Sequence, residues 1–389
     1  TATAALEHIF SSESVQLVRA SYFLRLARDG ARLPPRQELP PEAFVSSGML
    51  SSLLDELDAV SEVSSRFDMF FPGIVAISHA WSSEGHPDPQ GRMLHDLLAP
   101  ALEWYMSERA LIVKNCGSRT AEGFEPGWYD GRPLQPAAVD FGVFLDFTSI
   151  EQPLNRSPVE EMQLQVAKSS MDVIYAHRNV VKFHVTTPSE GATRNGYAER
   201  GWPFFESVVA SIVSDVFHSL DLARVDWRQP IVIDTSATGQ VAKRSILYRG
   251  IWKSPAELAT LATAPTHLDM GILGQLLDRR VPPLDPASPP SMLATKQVSE
   301  QADRGLLLSM HGRFMSSMHR NLRELYFEGL GWNGADVQLL CKALPSFSVL
   351  EALHLSANPI GPEGALALAE HIGERPMQRL RWLVLNSCG

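Results

Sequence analysis

Apolar residues fall into two regimes along the chain. Residues 1–30, "TATAALEHIFSSESVQLVRASYFLRLARDG", carry them at helical spacing and stop at a glycine. "ARLPPRQELPPEAF" is a proline-rich connector, and "SSGMLSSLLDELDAVSEVSSRF" predicts an amphipathic helix with Leu50, Leu53, Leu54, Leu57 and Val60 on one stripe. From about residue 72 short β-branched runs alternate with helical ones. "GIVAISHAW", "FGVFLDFTS" and "MDVIYAH" predict three strands, and "VVKFHVTT" is a candidate fourth. Helices are predicted at "MLHDLLAPALEWYMSE", at "SPVEEMQLQVAKSS" with Ser157 as cap and Pro158 at its first position, and at "WPFFESVVASIVSDVF". Strands that are apolar throughout, alternating with helices, predict an α/β fold: a parallel sheet with helices on both faces.

Beyond residue 227 the pattern thins. "QPIVIDTS" is one more strand candidate, and "SPAELATLA" is a helix capped by Ser254, Pro255 and Glu257. "RRVPPLDPASPPSM" is the clearest linker. The C-terminus then repeats. "LRELYFEGL", "LEALHLSAN" and "LRWLVLNSC" align at Leu322, Leu350 and Leu380, and "PEGALALAEHI" supplies a helix between them. This is the strand-plus-helix signature of leucine-rich repeats of the ribonuclease-inhibitor-like length. Since a solenoid needs capped ends, further repeats are expected beyond Gly389. The expected division is a helical segment 1–68, an α/β domain 69–226, a connecting region 227–305 and a repeat solenoid 306–389.

Composition removes some function classes. Of 389 residues 44% are hydrophobic and 20% charged, and the net charge of −10 argues against a general nucleic-acid or anionic-membrane binder. No apolar run reaches the ~18 residues that span a bilayer. Cys116, Cys341 and Cys388 are too few and too scattered for a disulfide framework or a four-cysteine zinc site. The expected location is the cytoplasm or another reducing compartment. Organelle targeting stays open, because the chain begins at Thr1. His86 and Asp88 of "HPDP" suit a rigid proline turn better than a metal site, so no metal is expected.

Three segments concentrate candidate chemistry: "AISHAWSSEGHPDPQG", "VFLDFTSIEQ" and "RGWPFFES". In an open α/β sheet ligands sit at the carboxyl ends of strands, where His79, Trp81 and Asp146 are predicted to lie. The succession "SHAW", "FLDFTS", "AKSS" and then W-x-x-x-E resembles the TIR superfamily, and within it the heterokaryon-incompatibility (HET-like) branch. The matching residues are Ser78 and Trp81, then Asp146, Ile150 and Gln152, then Arg200, Trp202 and Glu206. The resemblance covers roughly residues 70–225. It departs from the general pattern at "SIEQPLNRSP", at an insertion over 107–139 and at "HPDPQG".

The resemblance implies a TIR/flavodoxin-like sheet and a signalling or defence-type protein that cleaves NAD⁺ at the nicotinamide–ribose bond. NAD⁺ would be the substrate, and no bound cofactor is implied. Glu206 takes the place of the catalytic glutamate, and His79, Trp81, Asp146 and Trp202 are the substrate-binding candidates. Four of these have a plainer reading: Glu206 as a first-turn carboxylate facing the helix dipole, Trp202 as packing, His79 as a side chain bonding the backbone, and Asp146 as a residue that caps or orients a loop. The rival is a non-catalytic scaffold, or a subunit of a larger assembly. In that reading the TIR-like domain self-associates and the repeats bind a protein partner.

Overall fold

The computed structural model describes residues 2–62 except 13, 71–121, 139–152, 157–187, 196–227 except 215, and 300–388 except 375, 376 and 378; between 228 and 299 it describes scattered positions only. Among these residues the main sheet runs in the order β1 (Val18–Arg19), β3 (Gly142–Phe144), β2 (Ile74–His79), β4 (Val181–Val185) and β5 (Ser219–Asp221). The pairs β3–β2, β2–β4 and β4–β5 are parallel, and β1 is an antiparallel edge.

Helices are α1 (Ala2–Phe10), α2 (Ala20–Arg28), α3 (Ser47–Glu62), α4 (a π turn over Met93–Leu98 running into Ala99–Ala121), α5 (the single turn Asp146–Ser149), α6 (Pro158–Tyr175) and α7 (Gly201–Val213). Both faces of β2 are covered, which is why the strand is apolar throughout. Ile74 and Ala76 share one face with Leu6 of α1, Leu57 of α3, Ile174 of α6 and Val209 of α7. Val75 and Ile77 share the other with Phe23 of α2 and Leu98 and Leu102 of α4. The chain passes from β2 to β3 on one side, then returns by α6 to β4 on the other side of β2. That reversal leaves a crevice beyond the carboxyl ends of β2 and β4.

Several expected elements differ. "MDVIYAH" is not the third strand: α6 runs on through Tyr175. A capping box between Ser157 and Glu160 starts the helix, and Leu164, Ala167, Met171, Ile174 and Tyr175 form one buried helical stripe. This tertiary face overrides the β-preference of Val173 and Ile174. The third parallel strand is the "VKFHV" of β4. The first 30 residues are also not all helix, because β1 breaks them and pairs with Gly142 and Val143. Gly142 admits the neighbouring Leu17, whose Cδ1 would lie 2.8 Å from a Cβ placed there. Of the expected insertion, 107–121 continues α4 and 122–138 lies outside the described residues. The strand candidate "QPIVIDTS" holds a short strand, Val232–Ile233, which among the described residues pairs with Ala242–Lys243 in a sheet separate from the main one. The helix expected at 254–262 lies outside the described residues.

Toward the C-terminus α8 (Gln301–Asn321) leads into β6 (Glu324–Tyr326), α9 (Gly334–Ala343), β7 (Ala352–His354), α10 (Gly361–Glu374) and β8 (Trp382–Val384). The three strands pair in parallel, Glu324 with Ala352 and Ala352 with Trp382, so the pairing register equals the sequence repeat. A left-handed backbone recurs at the same repeat position: Gly329 (φ 67), Ala357 (φ 58) and Ser387 (φ 57). Only at the first does glycine relieve the strain. Asn358 is buried and donates to the carbonyls of Phe327 (2.6 Å) and Leu355 (2.8 Å), while its Oδ1 accepts from the Trp332 amide.

Arg280 ties α7 to β6. Its guanidinium donates to the carbonyls of Ser211 (3.3 Å) and Ser214 (2.5 Å) at the carboxyl end of α7, and to Tyr326 (2.9 Å). Cation and helix terminus suit one another electrostatically. Arg280→Ala is therefore expected to cost about 2 kcal/mol in a urea titration, since it strips charged donors from buried carbonyls.

Among the described residues no helix is long and apolar enough to cross a membrane.

Candidate active site at the sheet crevice

A cavity of about 370 Å³ opens at the crevice, within the range of small-molecule sites. His79, Trp81, Asp146, Trp202 and Glu206 all line it. They come from the end of β2, the turn after β3 and the start of α7.

Glu206 lies in the second turn of α7 and is only 5% exposed, so it is not a solvated first-turn acid. The helix directs it at β2, where its Oε2, when ionised, accepts from the Ser78 hydroxyl at 2.6 Å. Burial pushes its pKa up to about 8, and the nearby Asp146 carboxylate pushes the same way. The Ser78 hydroxyl, His79 and the Tyr175 hydroxyl oppose the rise without cancelling it. Glu206 is thus held mainly as a neutral acid at pH 7.

His79 faces Asp146, Nε2 to Oδ1 at 2.9 Å. Burial lowers the imidazole pKa, but attraction to Asp146 outweighs it and the net shift is upward. Asp146 moves down: burial opposes, and His79 with the Trp81 indole and the Phe147 amide prevails. The Trp81 N–H donates to Asp146 Oδ2 at 2.8 Å. A third of Asp146 stays exposed in the cavity wall, while His79 Nδ1 is buried without a hydrogen-bond partner among the described residues. Gln152 braces the loop beneath by donating to the carbonyls of Asp146 (3.1 Å) and Ile150 (2.7 Å).

The outer wall holds residues that sequence reasoning missed. The Trp202 N–H donates to Asp303 Oδ2 at 3.0 Å, and Lys168 of α6 pairs with Asp303 Oδ1 at 3.0 Å. The backbone of Gln297 bonds both Glu199 and Gly201, fastening the segment before α8 to the start of α7. Gly201 allows this contact, as a Cβ there would sit 2.7 Å from Val298. Trp202 and Asp303 are 101 positions apart, and nothing in either local sequence announces the pairing. Asp303→Ala is expected to cost about 2 kcal/mol of stability in urea. It should also raise acrylamide quenching of Trp202, read as the difference from a Trp202→Phe control.

His86 and Asp88 serve the fold. The His86 ring bonds the Leu33 carbonyl and accepts from the Asp88 amide, and Asp88 accepts from the Leu94 amide at the start of α4. Among the described residues no three His, Cys, Asp or Glu side chains gather as a metal site would need.

Comparison with protein-family models, with curated proteins and with solved structures finds no match for the chain.

Proposed function

We propose that this chain is a TIR/HET-like signalling or defence-type protein whose α/β domain hydrolyses NAD⁺ at the nicotinamide–ribose bond. One observation carries the reading. Ser78, Trp81, Asp146, Trp202 and Glu206 are spread over nearly 130 positions, and all gather around one cavity or its floor at the sheet's reversal point. The strand order, with the second parallel strand on one side of the first and the third on the other, supports a flavodoxin-like sheet. The in-register repeats of the C-terminus support a leucine-rich solenoid.

The chemistry suits a single carboxylate. Nicotinamide leaves as a neutral amide from a cationic substrate, so the leaving group needs no general acid. Charge then develops on the ribose as an oxocarbenium-like state, as in glycoside hydrolysis. Ionised Glu206 on the cavity floor stabilises that charge, and the two indoles offer flanking surfaces for a planar ring. Water adds to the ribose carbon and gives up a proton, so NAD⁺ and water yield nicotinamide, ADP-ribose and H⁺.

A second reading, a self-associating scaffold, draws on α6. Val159, Met162 and Val166 are 58%, 62% and 48% exposed at spacings that put them on one helical face. The repeats would then take a protein partner. The deciding experiment incubates purified protein with NAD⁺, at concentrations low enough for monomers and high enough for assemblies, and follows nicotinamide by chromatography. Protein-dependent release supports hydrolysis. No release at any concentration removes it and leaves the scaffold.

A further inference from the structure

Behind Glu206 a line of hydrogen bonds runs through the interior. Ser78 Oγ lies 2.6 Å from Glu206 Oε2 and 2.5 Å from Tyr197 Oη. Tyr197 Oη lies 2.8 Å from His184 Nδ1, and His184 Nε2 lies 3.1 Å from Ser219 Oγ. All five side chains are buried. The strand pattern builds this line: Ser78 and His184 belong to adjoining strands paired in register, and Ser219 follows on the next. A face of the sheet that elsewhere holds Ile74 and Ala76 turns polar here. Such a line costs desolvation unless every member is bonded.

We propose that Ser78, Tyr197 and His184 form a proton relay that exchanges the Glu206 proton with the His184 imidazole, making His184 a positioning residue for the charge state of Glu206. The relay's use in catalysis rests on the proposed NAD⁺ reaction, but its existence does not. Each link can both donate and accept. With Glu206 neutral, its carboxyl donates to Ser78, Ser78 to Tyr197, and Tyr197 to His184 Nδ1, while His184 Nε2–H donates to Ser219. When positive charge enters the cavity, the Glu206 proton passes to Ser78, the Ser78 proton to Tyr197 and the Tyr197 proton to Nδ1. Glu206 is then a carboxylate and His184 an imidazolium, with no net gain or loss of protons. Imidazole is the side chain suited to take a proton near neutral pH.

Other titratable groups set the background. Around Glu206 these are His79 and Asp146 in the cavity and Tyr175 from α6. Near His184, Lys182 shares its face of β4 and donates to the His177 carbonyl at 2.6 Å. The β5 register partner of His184, Asp221, accepts from Thr186.

Reversal of the line makes a distinctive prediction. Once Glu206 is ionised by raising the pH, Ser78 must donate to it and Tyr197 to Ser78, so Nδ1 of His184 must carry a proton and donate to Tyr197. In ¹⁵N-histidine-labelled protein, Nδ1 of His184 is expected to change from acceptor to protonated over the pH range in which Glu206 titrates. Tyr197→Phe should abolish the change and raise the Glu206 midpoint by about one pH unit. His184→Gln identifies the resonance. Should Tyr197→Phe not fold, Ser78→Ala breaks the same line one link nearer the acid. In the nicotinamide assay, kcat/KM of the parent should stay nearly level from pH 6 to 8. That of Tyr197→Phe should fall about tenfold per unit below the Glu206 midpoint. A His184 Nδ1 signal that stays constant while Glu206 titrates overturns the relay whatever the activity. A clear switch without any nicotinamide release keeps the relay and discards the NAD⁺ reaction.

Discussion

Glu206→Gln is expected to fold normally and to lose about 10³-fold in the rate of nicotinamide release. A carboxylate about 4 Å from a developing ribose cation, in surroundings of intermediate polarity, is worth about 4 kcal/mol of attraction. Each 1.36 kcal/mol is a tenfold change in rate, so removing the charge removes about three decades. The fold should not suffer. Glu206 is held mainly neutral at pH 7, and a glutamine amide copies the shape of the neutral acid. Its amide N–H can donate to Ser78 as the neutral carboxyl does, and its carbonyl can accept from Ser78 as the carboxylate does. An activity lost together with the fold would point to a structural acid. Loss with the fold intact points to a charge used in the reaction.

The same substitution is expected to stabilise the protein in a pH-dependent way. Glu206 has a folded-state pKa of about 8 against an ordinary 4.5. Between these values the folded chain keeps a proton that the unfolded chain releases, so stability falls as pH rises, by about 1.4 kcal/mol per unit. The contribution is fully present below pH 4.5 and is gone above pH 8. Glutamine has no proton to lose. Urea titrations should therefore show the variant gaining on the parent steadily across this window, by on the order of 5 kcal/mol in total. A flat difference would mean that the carboxyl is not desolvated. A residue that costs stability where ionised is common at functional sites.

Much of the arrangement was legible in the sequence, for particular reasons. The β2 segment announced itself because both of its faces are buried, and His79 stood out as a polar residue ending such a run. Glu206 was placed by its spacing from Trp202. Helical geometry then sends it one turn further into the interior than a first-turn acid, which the spacing alone did not convey. The repeat was plain because strand pairing in that region keeps the sequence period. The β-branched Val173 and Ile174 make "MDVIYAH" read as a strand, while the stripe from Leu164 to Tyr175 that makes them helical becomes visible only across the full length of α6. Tyr197, His184, Lys168 and Asp303 escaped because each gains its role from a neighbour distant in sequence. His184 sits in a segment that reads from the sequence only as a candidate fourth strand, and the strand is buried along its whole length. Asp303 opens a helix in the C-terminal part of the chain, yet it orients an indole that belongs to the cavity.

The most direct measurement follows nicotinamide release from NAD⁺ at pH 8 by the parent and by Glu206→Gln, with a urea titration of each on the same preparations. The expected result is release by the parent, about 10³-fold less by the variant, and a variant that unfolds at higher urea. Equal release by the two proteins, or none by the parent, would contradict a catalytic Glu206.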